Sequence, residues 1–190
     1  MPLTMPPSTV HRPPSTVSDL HETEPRWFAV RTRAKCEKFV RQALAKKNVE
    51  AYVPLQQFVR RYERKTRTVE KPLITCYVFV QITKNEYLPV LETENVAGFV
   101  RIGKDLRAIP EAEIDLLRRI TLEKDLELEV MEGAFHEGDW VEIVAGSLAG
   151  LRGRVVQREG KRRFQVELEQ LGYSLLMQVD AQLLGKASRF

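Results

Sequence analysis

The chain has 190 residues, room for one medium domain or two small ones, and its 43% hydrophobic and 29% charged residues are the balance of an ordinary folded protein. No window approaches the ~18 apolar residues of a membrane span, and the N-terminus lacks the apolar core of a signal peptide, so a cytoplasmic protein with no membrane segment is expected. The formal net charge is only +4, but Arg26, Arg31, Arg33, Lys35, Lys38, Arg41, Lys46 and Lys47 face a single acid, Glu37, while Glu111 to Glu142 is mostly acidic; one half is suited to a polyanion.

Residues 1–24 are rich in Pro, Ser and Thr and repeat "PPSTV" at Pro6–Val10 and Pro13–Val17. Too little apolar surface is present to offset ordering entropy, and a disordered tail is predicted. "RWFAVRT", Arg26 to Thr32, reads as a strand. "AKCEKFVRQALAKK" reads as a helix in which Cys36, Phe39, Val40, Ala43 and Leu44 make one apolar stripe, with Lys35, Lys38, Arg41 and Gln42 off it and Asn48 as the stop.

"VEAYVPLQQFVRRYE" reads as a strand interrupted at Pro54 that runs into a basic hairpin with Arg60, Arg61, Arg64, Lys65, Arg67 and Lys71. In "PLITCYVFVQI" the alternation sends Tyr77, Phe79 and Gln81 to one face and Val78, Val80 and Ile82 to the other. "VAGFVRIG" is a short strand, and Pro110 opens a helix carrying Ile114, Leu117 and Ile120 at helical spacing. The order β-α-β-β-β-α over residues 25–122 predicts an α+β domain, a mainly antiparallel sheet with flanking helices.

"EKDLELEVME" lies in an acidic linker, 123–133, with a helical extension as the alternative. From there four short strands are expected within residues 134–186: Trp140–Val144, Gly153–Arg158, Arg163–Glu169 and Tyr173–Val179. They predict a small all-β barrel.

The chain carries no GxSxG, no GxxxxGK[ST] and no nucleophile paired with a base, so no enzyme is expected. Cys36 and Cys76 fit no metal spacing and read as free thiols, and His11, His21 and His136 are scattered; neither metal nor cofactor is implied. The glycines of "GDWVEIVAGSLAGLRGRVV" are a folding device: Gly138, Gly146, Gly150 and Gly153 let the chain turn and approach itself closely, with Leu148 displayed on the loop between strands.

That stretch resembles the KOW motif. "RWFAVRT…EKFVRQAL", "PLITCYVFV", "VAGFVRIG" and "AIPEAEI" resemble, in the same order, the NusG N-terminal (NGN) domain. The combination resembles the NusG family of transcription elongation factors, and the central segments resemble its specialised paralogs (UpxY-like, RfaH-like), because Thr75-Cys76 stands where housekeeping members place Pro-Gly. The resemblance implies an antitermination or elongation factor that promotes read-through of long operons, such as those for surface polysaccharide, and acts as a monomer. It implies docking on the clamp helices of the largest RNA polymerase subunit through Tyr77 and Phe79, with Phe28 and Val30 contributing. Arg33, Lys35, Lys38 and Arg41 match the place where paralogs touch the non-template DNA strand, with Arg60, Arg61 and Arg64 in second rank. Leu148, Leu171, Gly172 and Tyr173 match the loops that recruit a KOW partner, a ribosomal small-subunit protein; Leu171 and Tyr173, replacing an aromatic and an Arg, argue against Rho. In RfaH-like proteins the KOW domain refolds as a helical hairpin that masks the polymerase site, whereas the alternating strands here favour a stable barrel. The competing expectation is a KOW-type RNA-binding or ribosome-associated protein, for which the basic KOW half would suffice.

Overall fold

The computed structural model describes residues 18–62, 65–123, 128–132, 138–158, 161–168, 172–179 and 181–187. Residues 18–24, which composition assigns to a tail, instead lie along the first domain. The Asp19 N–H donates to the Leu106 carbonyl at 2.9 Å, the Asp19 carboxylate accepts from the Ala108 N–H at 3.0 Å, and Leu20 packs on the core. Pairing to a segment so far along the chain leaves no local sequence pattern. The expectation for residues 1–17 lies outside the described residues.

β1 (Arg26–Thr32) leads through a turn into α1 (Glu37–Lys46). The helix stops at Asn48, whose φ of 59° is the left-handed conformation that Asn tolerates. The Asn48 and Val49 N–H groups then bond back to the Ala45 and Leu44 carbonyls, each at 3.1 Å, satisfying the orphan end of the helix. β2 (Glu50–Tyr52) follows, then β3 (Leu55–Tyr62) and β4 (Lys65–Pro72), which pair only with each other as a two-stranded ribbon. β5 (Tyr77–Ile82), a 3-10 turn at Lys84–Glu86, α2 (Tyr87–Leu91), β6 (Val96–Phe99) and α3 (Glu111–Leu122) complete the domain. α2 was not anticipated. The local signal belongs to the 3-10 turn that leads into it: Thr83 with Glu86 three residues on form its capping box, the Glu86 carboxylate accepting from the Thr83 N–H at 2.8 Å.

The four-stranded sheet runs β2-β5-β1-β6, antiparallel throughout. Strand alternation gives it two apolar faces. Phe28, Val30, Val78, Val80 and Ile82 share a core with Val40 and Leu44 of α1 and Val90 of α2. Trp27, Ala29 and Phe79 share the other with Ile114, Leu117 and Ile120 of α3. Both faces are thus covered, as expected for an α+β domain.

Among the described residues the second domain has six strands, five of them within 134–186, where four were expected, and one in the segment before it. β7 (Leu128–Glu132), β8 (Trp140–Ile143), β9 (Arg152–Arg158), β10 (Lys161–Leu168), β11 (Tyr173–Met177) and β12 (Leu184–Lys186) form an antiparallel sheet ordered β12-β8-β9-β10-β11-β7. β7 corrects the expected linker: within 123–133, Leu128–Glu132 is a strand paired with β11, Leu128 opposite Met177 and Glu132 opposite Tyr173. The pairing spans more than forty residues of chain, which local composition cannot reveal. Ile143, Phe164, Leu168, Leu175 and Met177 are the most buried apolar residues of this domain. Among the described residues, no helix is long and apolar enough to cross a membrane.

Candidate functional site

The register of β1 against β5 decides which residues can share a surface. Ala29 lies opposite Phe79 and Phe28 opposite Val80. Tyr77 and Phe79 therefore share one face, while Phe28 and Val30 lie on the other, beneath α1. Phe28, Val30 and Phe79 are each 0% exposed. The expectation of one docking surface made of all four is corrected: Phe28 and Val30 face the wrong way, and all but Tyr77 are closed core. Phe79 is roofed by Tyr52, ring centroids 6.3 Å apart, and by α3. Tyr52 is held by a 3.2 Å hydrogen bond between its hydroxyl and that of Thr121. Burial raises the Tyr52 phenol above its ordinary pKa, with the Thr121 bond and the Arg118 charge opposing. Arg118 lies over the rings of both Trp27 and Tyr52, at 5.3 and 5.6 Å, and the Trp27 indole N–H donates to Glu111 at 2.6 Å.

Tyr77 is half-buried because the second domain covers it. Tyr173, at the start of β11, meets it edge-on with centroids 5.7 Å apart, and its hydroxyl donates to that of Tyr77 at 3.3 Å. A second tie comes from α3: the Arg119 guanidinium donates to the Ser147 and Ala149 carbonyls at 2.9 and 2.8 Å. Leu148, between those carbonyls, is 7% exposed and packs into the core, so its expected display on the loop is also corrected. The turn formed by Gly146 and Gly150, with φ of 85° and 83°, folds it inward. Gly153 serves close approach instead: a Cβ there would fall 2.2 Å from the Gln165 carbonyl oxygen. Gly138, at φ 115°, approaches the Val155 carbonyl in the same way. Gly172 is exposed at φ 68°, its N–H donating to the Leu168 carbonyl, and Leu171 lies outside the described residues.

The basic candidates sit at the same end of the sheet as Tyr77, in the turn before α1 and on α1 itself, which covers the opposite face. Arg33 and Lys35 are exposed in the turn before α1, Lys35 with φ of 64°. Lys38 and Arg41 are half-buried on α1. Lys38 donates to the Glu70 carboxylate of β4 at 2.9 Å, and that bond, reinforced by the charges of Lys38 and Arg41, holds Glu70 below the ordinary carboxylate range. Arg64 and the side chains of Arg60 and Arg61 lie outside the described residues. Two features here were not legible from composition. Glu37, the lone acid of the basic run, is 4% exposed and accepts the Cys76 N–H at 2.7 Å, where Cys76 takes a φ of 66°. Phe39, placed by its spacing in the apolar stripe, is 48% exposed. The stripe is Val40 and Leu44, flanked by Glu37.

The structure is thus an antiparallel α+β domain with a small antiparallel β-domain packed against one sheet face. Residues 25–118 match the family described as "Transcription termination factor nusG", and residues 137–169 match "KOW motif". "Transcription termination/antitermination protein NusG" of Streptococcus pyogenes serotypes M3 and M1 is 27% identical over 148 residues, 72% of this chain and 82% of that protein. A solved structure titled "Domain interaction in Thermotoga maritima NusG" covers 87% of this chain and 98% of its own at a TM-score of 0.54 and 20% identity, a likeness of fold. The chain belongs to the NusG family, whose members matched here are named for transcription rather than for catalysis.

Proposed function

We propose that this protein is a transcription elongation and antitermination factor of the specialised-paralog kind, binding RNA polymerase and promoting read-through of long operons. The observation that carries the reading is the succession of a NusG-type domain over 25–118 and a KOW motif over 137–169 in one chain. The paralog assignment is supported by Thr75-Cys76 in the turn before β5. Non-Gly Cys76 adopts a left-handed φ there because the buried Glu37 carboxylate takes its N–H.

In this reading the sheet face around Tyr77 receives the tip of the polymerase clamp helices. An aromatic side chain with a polar tip buries area at low entropic cost. Tyr173 and the clamp cannot occupy Tyr77 together, so docking requires the KOW domain to leave. The exposed basic turn at Arg33 and Lys35 then lies toward nucleic acid, where it supplies salt-dependent phosphate attraction. The protein performs no bond chemistry; it holds the polymerase clamp closed over DNA, and the released KOW domain is free for a second partner, a ribosomal small-subunit protein.

The test is co-purification with polymerase core. Tyr77→Ala should reduce retention at least tenfold while circular dichroism and the unfolding transition of the KOW domain are unchanged. Retention equal to that of the unmodified protein would leave the competing reading, a KOW-type RNA-binding protein, as the better one.

A further inference from the structure

Resting on the reading above that Tyr77 docks on polymerase, we infer that Glu37 is a positioning residue for that contact: it fixes the turn from which Tyr77 enters β5. Glu37 is the lone acid of the basic run and the first residue of α1, yet it is 4% exposed. Withdrawing a carboxylate from water is costly unless other bonds replace its hydration. Here its Oε1 accepts the Cys76 N–H at 2.7 Å, and its place in the first turn of α1 favours negative charge. The buried carboxylate thus holds a backbone group of a turn 39 residues further along the chain.

That turn needs holding. Among the described residues, Lys35, Asn48, Cys76 and Asn95 are non-Gly residues with a left-handed φ. Asn tolerates the conformation, whereas Cys does not ordinarily adopt it. At Cys76, with φ of 66°, the N–H goes to Glu37 and the carbonyl accepts the Thr32 N–H at 2.9 Å. The second bond extends the β1–β5 ladder one step past the Arg31–Tyr77 pair. Both backbone polar groups of Cys76 are therefore fixed, one from α1 and one from β1, and Tyr77 is the next residue. Without the carboxylate, Cys76 relaxes toward an ordinary φ and turns the peptide that leads into Tyr77. The disturbance falls on Tyr77 first, because Val78 and Phe79 beyond it are held in closed core on opposite faces of the sheet.

A carboxylate that served stability alone would be missed equally whatever residue stands at 76. A positioning carboxylate is missed only where residue 76 needs help to be left-handed. The experiment measures retention of the full-length protein on polymerase core, with the urea midpoint of each variant alongside. Glu37→Ala should reduce retention roughly 5- to 30-fold, the population shift that matches the strain of one left-handed non-Gly residue. Cys76→Gly reaches a positive φ without strain and should bind within about twofold of the parent. Glu37→Ala placed in the Cys76→Gly background should bind within about threefold of Cys76→Gly alone, even where its urea midpoint is lower. Retention of Glu37→Ala equal to the parent, or a double variant as weak as Glu37→Ala, would overturn the inference. Where Glu37→Ala alone does not fold, the double variant decides: it binds like Cys76→Gly, or the positioning role is discarded. Tyr77→Ala run beside them separates the two readings. Retention lost there but kept in Glu37→Ala overturns the positioning role alone, whereas retention kept in both overturns the docking role of Tyr77 and the positioning role with it.

Discussion

The two faces of the N-terminal sheet are closed by different means. Under α1, Phe28, Val30, Val78 and Val80 are sealed by Val40 and Leu44 from the same stretch of chain, and all are 0% exposed. On the opposite face Phe79 is equally sealed beneath α3, but toward the edge of that face the cover becomes polar and remote. Tyr77 meets Tyr173 across two hydroxyls, and Arg119 binds two loop carbonyls of the second domain. Separating apolar cores exposes area at about 25 cal/mol per Å². Hydroxyls and carbonyls parted at a wet margin find water instead, at a net loss of roughly 0.5–1.5 kcal/mol per bond. One face is closed within its own domain, and the other is closed in part by the second domain, through a shared apolar cluster as well as these polar ties.

The largest expected effects test where the sealed region ends. Phe28→Ala and Phe79→Ala should each cost about 3–5 kcal/mol in urea unfolding, because each empties a closed site. That is a large share of the ~5–15 kcal/mol that holds a domain together, so neither variant reports on polymerase docking. A cost below about 1 kcal/mol for Phe79→Ala would move it out of the core and return it to the docking surface.

Next in size is the margin itself. Tyr173→Ala should lose about 0.5–1.5 kcal/mol for the edge-on aromatic pair, plus the buried area of a half-buried ring, and still cost less than Phe79→Ala. It should also shift the amide resonances of β5 near Tyr77 while leaving those of Val78 and Val80 in place. A double-mutant cycle of Tyr77→Phe with Tyr173→Phe isolates the hydroxyl contact. Zero coupling there, with β5 undisturbed by Tyr173→Ala, would show that the two domains are held by something other than this pair.

Much of this contrast was readable before the structure, and the failures have physical causes. The alternation along Tyr77–Ile82 correctly separates Tyr77 and Phe79 from Val78, Val80 and Ile82, because one strand carries its own period. Pro110 and Asn48 mark the helix ends they were expected to mark. Placing Phe28 and Val30 with Tyr77 failed because strand periodicity says nothing of how β1 registers against β5, and Phe28 falls opposite Val80. Leu148 failed similarly: glycines announce a turn but not which side chain it folds inward. The segment Leu128–Glu132 reads LEVME, an alternation that Met131 breaks, and its strand depends on β11, far along the chain. Phe39 lies on a helix turn where a shift of one residue moves a side chain by about 100°, enough to carry it from core to surface.

The smallest effect concerns the outside of α1, where the sealed face is pinned to the ribbon by Lys38 and Glu70. Glu70 is held below its ordinary value of 4.5 first by the hydrogen bond from Lys38 and then by the charge of Lys38, so the pairing favours the ionised, folded form. A depressed carboxylate contributes above its unfolded value and loses that contribution as pH falls through the lower folded value. The tie is therefore intact at neutrality and fails only in acid, and because the two side chains keep 43% and 41% of their surface in water it adds little to stability. Lys38→Gln should move the Glu70 carboxyl titration, read by carbon-13 NMR, back up toward 4.5 without shifting the urea midpoint. The same tie orders the basic residues of α1 by what each has to offer a phosphate. Lys38 must give up Glu70 to contact a strand, whereas exposed Arg33 and Lys35 are positioned to reach one directly. Each cation that neutralises a phosphate of an unpaired strand adds about 0.7 to the logarithmic salt slope. Arg33→Gln or Lys35→Gln should lower the slope by about that amount, and Lys38→Gln by less. A full decrement from Lys38→Gln would show that the strand displaces Glu70 on binding, and the α1 layer would then be open to exchange as well.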